Sequence, residues 1–377
     1  MNHFIIDGHE DIAFNVLGAG RDYTRAARET RRLDAANPAF PDRMGIATLG
    51  WPDWIAGRVG IVFATIFAEP QRSAFSGPPI NKYATADEAR AVGLRQLEVY
   101  RSLTSHDGPF RFIRQARDLD AVLVAWDGWR GPADTSQPGA RGESDVPAHP
   151  PPPIGLVLLM ENADPIRTPD EVDEWYEAGL RIIGPAWMAS RYCGGTFEPG
   201  PLTSEGRLLL DRMARRGMVL DTSHMAEESF EEAVECYPGP VIASHANPRH
   251  FVDGDRHLTD RMIRTLAARD GVIGCVPYNA FLVPGWREAG ACKDAANLAT
   301  IVRTIDYICD LAGSAEHVAF GSDLDGGFGA ESTPDGLDTV ADLQRIAAAL
   351  ADRGYTDADV DAITHGNWLR VLRRALA

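Results

Sequence analysis

Cysteine is scarce in this chain and never clustered. The five thiols (Cys193, Cys236, Cys275, Cys292 and Cys309) are odd in number, dispersed and without a CxxC pair. That pattern argues against a disulfide framework and fits reduced cysteines. Positive charge is also short: 37 Lys and Arg against 54 Asp and Glu leave a formal net charge of -17. Nucleic acids and anionic membranes attract basic patches, so neither is an expected partner. No apolar run approaches the ~20 residues of a membrane span. No GxGxxG follows a strand-like run, so a dinucleotide fold has no support. The opening MNHFIIDGHED lacks a basic segment leading into a long apolar one, and the closing RVLRRALA is a polar-faced helix end, not an anchor-attachment tail. A cytoplasmic location without a membrane anchor is the expectation.

What is present is apolar residues, 45% of 377, ample for a large core. From residue 154 onward short apolar runs alternate with amphipathic stretches: IGLVLLMENA, LRIIGPAW, MVLDTSH, PVIASHA, GVIGCVPY and HVAFGSDLDGG, each followed by a helical pattern. FIID and VGIVFATIFAE (59–69) at the front complete eight strand candidates. Their runs are nearly continuous and do not alternate, as in parallel strands covered on both faces. Eight such β/α units predict a (β/α)8 TIM barrel over an open sheet. Residues 1–377 are expected to form one barrel domain with loop insertions at about 16–57 and 127–153. The first insertion is polar and punctuated by Trp and Pro, and reads as a long loop with short helices over one barrel end. The second, DGWRGPADTSQPGARGESDVPAHPPPP, reads as an exposed insertion. Thr356 and Asp359 are a plausible cap for the last helix.

In a parallel barrel the active site lies at the carboxyl ends of the strands. The polar residues that end the runs are His9 and Asp11, Glu161, His224, His245 and Asp323; the remaining ends carry Trp187 and Tyr278. A lone histidine in such a place is more often structural than a ligand. A glutamate after four apolar residues is harder to dismiss, because a buried unpaired carboxylate is costly. Six such residues at one end of one barrel point to metal chemistry. Imidazole and carboxylate suit zinc, and the set is too large for one tetrahedral ion but suits two sharing a bridging carboxylate.

The segments DGHED, LLME, LDTSH, IASHA followed by DRHLTD, and GSDLDG together resemble the membrane (renal) dipeptidase family of metallopeptidases, within the amidohydrolase superfamily. The resemblance covers residues 154–377 and the first fifteen, and is loose in between. It implies two Zn2+, one held by His9 and Asp11, the other by His224 and His245, with Glu161 bridging. It implies that Asp323 is the general base beside a bridging hydroxide that attacks a dipeptide amide, including those with a C-terminal D-residue. Arg256 would bind the substrate carboxylate, for which a guanidinium has the right two-pronged geometry; Arg249 reads as a loop arginine. The implied partner is a small peptide, and the reading leaves room for a homodimer.

Two positions depart from the family pattern. Glu10 replaces a usual Asn and is read as facing away from the ligands. More consequentially, PAW stands where the family carries LTH, so Trp187 occupies the place of a histidine that polarises the scissile carbonyl. An indole donates a hydrogen bond but carries no charge. Ser190 and Tyr192, just beyond, are candidates to take over that role, but both read better as surface-loop residues. Trp187 favours an alternative substrate, such as a non-dipeptide amide, an N-acyl amino acid, a lactam or an ester. A non-catalytic metal-binding protein is the remaining reading, and the intact six-residue set argues against it. Asp221 orients a ligand imidazole or makes a plain strand-end hydrogen bond, Asp325 supports the turn after Asp323, and His250, His257, His317 and His365 are structural.

Overall fold

The apolar runs form eight parallel strands: β1 (Ile5–Glu10), β2 (Val59–Phe67), β3 (Ile154–Glu161), β4 (Leu180–Gly184), β5 (Val219–Asp221), β6 (Val241–Ala243), β7 (Val272–Cys275) and β8 (Val318–Phe320). The computed structural model describes residues 3–37, 40, 44–75, 77–105, 108–129 and 150–377. Each strand pairs with its neighbours in chain order, and β8 returns to β1 through Asp7 and Phe320, which closes the barrel. Closure leaves these strands no free edge, and every residue of β2 and of β3 is buried, as the continuous apolar runs require. A short strand at Phe110–Phe112 adds to the start of β3.

The helices outside the barrel arise from ordinary amphipathic patterns. Asp260–Ala268, for example, buries Met262, Ile263 and Leu266, and Thr259 caps it by accepting from the Met262 amide at 3.2 Å. The capping pair at Thr356 and Asp359 forms as expected. The helix it opens is interrupted by a π turn at Ala362–Gly366 before Asn367–Ala375. Two helices between β2 and β3, Ala86–Leu103 and Ala116–Asp127, belong to the stretch for which the sequence reading assigned no elements. The first carries a complete capping box at Thr85 and Glu88, a signal present in the sequence.

Residues 16–57 do carry short helices, the end of Ile12–Ala19 together with Ala27–Ala36 and Trp51–Ala56. Asp325 ties this segment to the barrel. Its Oδ1 accepts from the Thr48 amide and hydroxyl, each at 2.7 Å, while Oδ2 accepts from Tyr23 Oη at 3.0 Å and pairs with Arg21 at 3.1 Å. Asp325 is therefore a clamp on the N-terminal segment, more than the local turn support expected of it. Of the insertion at 127–153, residues 130–149 lie outside the described residues. Among the described residues no helix is long and apolar enough to cross a membrane.

Glycine lets three strands crowd one point inside the barrel. A Cβ on Gly274 would lie 1.8 Å from the Ser244 carbonyl oxygen, one on Gly321 1.9 Å and one on Gly8 2.7 Å. Only bare backbone fits there, so β1, β7 and β8 close around the residue that precedes His245.

Candidate metal centre

The strand ends bring His9, Asp11, Glu161, His245 and Asp323, all buried, and the partly buried His224 into one cluster. Two overlapping sets, His9 with Glu161 and His245, and His9 with Asp11 and Asp323, hold their donor atoms within 4.8 Å of one another. Glu161 faces two ways. Its Oε1 lies 3.0 Å from His224 Nε2 and 3.2 Å from His245 Nε2, and its Oε2 lies 3.7 Å from His9 Nε2. His9 Nε2 is 3.9 Å from Asp11 Oδ2 and 4.0 Å from Asp323 Oδ1. The His9 and His245 rings stack at 3.6 Å.

Backbone strain marks the same strand ends. His224, Asp323 and Asn162, which follows Glu161, have φ of 65°, 55° and 66°, the left-handed region that side chains normally avoid. Such strain persists where surrounding structure holds it, and it concentrates at functional sites.

Burial sets the charge of these groups. It drives His9 down to about 3, and His224 and His245 well below the ordinary imidazole value, so all three rings are neutral and offer lone pairs. It lifts Asp11 to about 7 and both Glu161 and Asp323 well above the ordinary carboxylate range, with neighbouring carboxylates adding to the rise. Carboxyls that burial and crowding hold in the protonated form ionise here only beside a cation. Among the described residues, His9 Nδ1 and Asp11 Oδ1 are buried without a hydrogen-bond partner. Neutral imidazoles, uncompensated carboxylates and orphaned donor atoms in one pocket fit divalent ions, and the absence of thiols from the set favours a hydrolytic over a structural role.

The imidazoles of β5 and β6 are held by further hydrogen bonds. Ser244 Oγ donates to Asp221 Oδ2 at 2.6 Å and lies 2.8 Å from His245 Nδ1. Because that hydroxyl proton goes to the carboxylate, Ser244 accepts from Nδ1–H and His245 Nε2 is left as a lone pair facing Glu161. Thr196 repeats the device. Its hydroxyl reaches the His224 carbonyl oxygen at 3.4 Å and His224 Nδ1 at 3.1 Å. Asp221 thus orients an imidazole as one of its two expected roles, but the ring is that of His245, reached through Ser244. Neither Ser244 nor Thr196 was singled out in the sequence. Ser244 had a visible cue in its place before a strand-end histidine. Thr196 lies in a hairpin (Cys193–Gly195 with Glu198–Leu202) whose fold over His224 leaves no local pattern.

Arg256 is buried beside the cluster. Its Nη2 donates to the His245 carbonyl oxygen at 2.8 Å, while Nε and Nη1 have no hydrogen-bond partner among the described residues. Tyr278 stacks on Phe328 at 4.2 Å and its hydroxyl accepts from Arg287. Trp187 is half-buried, with its ring 6.2 Å from His224, 5.1 Å from Phe67 and 5.7 Å from Phe75. Glu10 does face away from the donors, accepting from Trp54 Nε1 at 2.9 Å in a fully buried setting. Tyr192 corrects an expectation: it is no surface residue but fully buried, with its hydroxyl donating to the Ile166 carbonyl. Ser190 donates to the Pro185 carbonyl at 2.7 Å. Arg249 pairs with Glu227 at 3.2 Å. His250 stacks on Tyr307, His257 meets Phe281 edge-on, and His317 lies 2.9 Å from the Gly271 carbonyl oxygen, so none of the three joins the cluster.

A closed parallel barrel that gathers imidazoles and carboxylates at the carboxyl ends of its strands has the architecture of a metal-dependent hydrolase of the amidohydrolase kind. The model of the family Membrane dipeptidase (Peptidase family M19) matches residues 149–377, and the chain belongs to that family of metallopeptidases. A Klebsiella pneumoniae protein, described as an uncharacterized protein in the pqqA 5' region, is 36% identical over 212 residues, covering 54% of this chain and 75% of its own. Dipeptidase ataJ of Aspergillus terreus is 25% identical over 386 residues, covering 98% of this chain and 84% of its own. The crystal structure of a Rhodobacter sphaeroides metallo peptidase, liganded with a phosphinate mimic of the dipeptide L-Ala-D-Ala, superposes over the full length of both chains with a TM-score of 0.75 at 22% identity. At that identity the likeness shows a shared fold.

Proposed function

We propose that the protein is a zinc-dependent dipeptidase that cleaves a dipeptide into two free amino acids. The observation that carries this reading is the convergence of five buried donor side chains and the partly buried His224 beside a buried guanidinium, two of whose nitrogens have no hydrogen-bond partner among the described residues. Family membership and the dipeptidases among the relatives support it. His9 and Asp11 would hold one ion and His224 and His245 the other, with Glu161 placed between the two sets. Bound ions of this kind polarise a carbonyl and lower the pKa of water, and zinc suits the nitrogen and oxygen donors.

The chain's own residues supply the rest. Asp323, whose carboxyl is held above its ordinary range by burial and by Asp11, accepts the proton of the attacking water and returns it to the leaving amine. Arg256 turns its unpaired Nε and Nη1 to the substrate carboxylate, which restricts the enzyme to peptides that end one residue beyond the scissile bond. A second reading, with the same machinery and a non-dipeptide amide, is favoured by Trp187, whose ring lies 6.2 Å from His224 where the family pattern has a charged-capable side chain. The test is hydrolysis of a panel of L,L- and L,D-dipeptides by zinc-loaded protein, with Asp323→Asn as control. Turnover that the control loses supports the dipeptidase reading. No turnover with two ions bound sinks it and leaves the second reading.

A further inference from the structure

The β4 side of the site is built from different chemistry than the β6 side. Beside His224 stands a wall of aromatic rings contributed by four separate segments. Trp187 packs at 5.1 Å on Phe67 and at 5.7 Å, edge-on, on Phe75; Phe67 in turn lies 5.5 Å from Phe14. Met44 is buried in the same small apolar cluster, which is separate from the main core. The wall is not closed off, because Trp187 is half-buried and Phe75 is 45% exposed. A large apolar ring left open next to a metal donor is a surface with something to cover.

The carboxylates that flank the wall are already engaged. Glu198, which accepts from the Ala189 amide at 3.1 Å, pairs with Arg72 at 2.8 Å. Glu69, which approaches Phe14 across Gly77, pairs with Lys82 at 3.3 Å. Asp164 accepts from Tyr83 and pairs with Arg191 at 3.4 Å. None of these three is free to fix a substrate ammonium by an unshared charge. On the β6 side, by contrast, two guanidinium nitrogens of Arg256 have no hydrogen-bond partner among the described residues.

We infer that the site binds its substrate in one polarity, with the carboxylate at Arg256 and a large apolar side chain of the amino-terminal residue against Trp187, Phe75 and Phe67. Trp187 is the specificity-determining residue of that subsite. The substrate class is dipeptides whose first residue is aromatic or branched aliphatic, and the aromatic face tolerates a neutral acyl group there as well. This rests on the hydrolase reading above. A well-formed apolar subsite discriminates by about tenfold or more per group of one or two methylenes.

The test compares Phe-Ala, Leu-Ala, Gly-Ala and Asp-Ala as substrates of the zinc-loaded full chain, its Trp187→Ala variant and its Phe75→Ala variant. Phe75 is exposed, so its truncation keeps the test sound if the Trp187 variant fails to fold. The expected result is kcat/KM for Phe-Ala and Leu-Ala at least about tenfold above Gly-Ala and Asp-Ala, with that preference reduced to about threefold or less in each variant. Cleavage of Gly-Ala or Asp-Ala as fast as Phe-Ala, or an undiminished preference in both variants, overturns the inference and leaves the dipeptidase reading standing. If no dipeptide is cleaved with metal bound, that reading falls. The inference is then decided by calorimetric binding of the phosphinate analogues of Phe-Ala and Gly-Ala: tighter binding of the first by about tenfold upholds it, and equal affinity overturns it.

Discussion

The two halves of the proposed metal centre are built to different standards. On the β5–β6 side the protein prepares its donors in advance: Asp221 and Ser244 set the ring of His245, Thr196 sets that of His224, and both Nε2 atoms face Glu161 within 3.2 Å. On the β1 side His9 Nδ1 and Asp11 Oδ1 are buried with no hydrogen-bond partner among the described residues, the His9 ring has only a long contact from Nε2 to Thr65 Oγ1 at 3.4 Å, and the distances from Nε2 to its carboxylate neighbours run from 3.7 to 4.0 Å. One half is oriented by hydrogen bonds, and the other depends on a cation to satisfy it. A preformed set of imidazoles can hold an ion with its neighbours perturbed, whereas the β1 pair should lose its ion readily.

The largest effect is expected at the one residue that faces both halves. Glu161→Gln removes the charge between them and should lower kcat/KM by at least about a thousandfold, with bound metal falling below two ions per chain by elemental analysis. Next comes Asp11→Ala, which should cost one ion and leave the other in place. An Asp11→Ala protein that still holds two ions would erase the proposed asymmetry. Ser244→Ala acts on the prepared half through His245 alone, and should weaken metal affinity by about 10- to 100-fold in a chelator competition while preserving stoichiometry.

Acidity offers a further handle on the same contrast. The Asp11 carboxyl is raised from 3.8 to about 7 in the metal-free fold, with burial as the main cause. Between those values the folded state binds the proton that the unfolded chain has released, so metal-free stability must fall as pH rises through that window. Asp7, raised to about 6 by burial, acts in the same direction. A chelated sample should therefore melt at a lower temperature near pH 8 than near pH 5, and saturating metal should reduce or reverse the difference. An identical pH dependence with and without metal would contradict the picture of uncompensated carboxylates. The smallest effect is expected for Thr196→Val, a change in metal affinity of a few-fold, since one hydroxyl is lost and His224 keeps its place.

Most of the barrel was legible because parallel strands covered on both faces must be written as unbroken apolar runs, and all eight stand out in the sequence. The cluster at the strand ends was legible for a related reason: a histidine or carboxylate at the end of such a run breaks the pattern. What escaped depended on partners far away in the chain. Asp325 reads as a turn residue until Thr48, Tyr23 and Arg21 converge on it across some 280 to 300 positions. Tyr192 sits in a polar stretch, and only the folded hairpin reveals that its ring is buried and its hydroxyl spent on Ile166. Thr196 reaches His224 by the same hairpin, a register no local spacing discloses. The helix Ala86–Leu103 does carry a local signal, the capping box of Thr85 and Glu88, whereas Ala116–Asp127 has no side-chain cap to mark its start.

The most direct test of a two-metal hydrolase is to count ions and turnover together, titrating chelated protein with zinc while following both bound metal and dipeptide cleavage. The account predicts binding that ends at two ions per chain, with cleavage rising as the second site fills and absent from chelated protein. Cleavage that persists in chelator, or binding that never exceeds background at any zinc level, would contradict it.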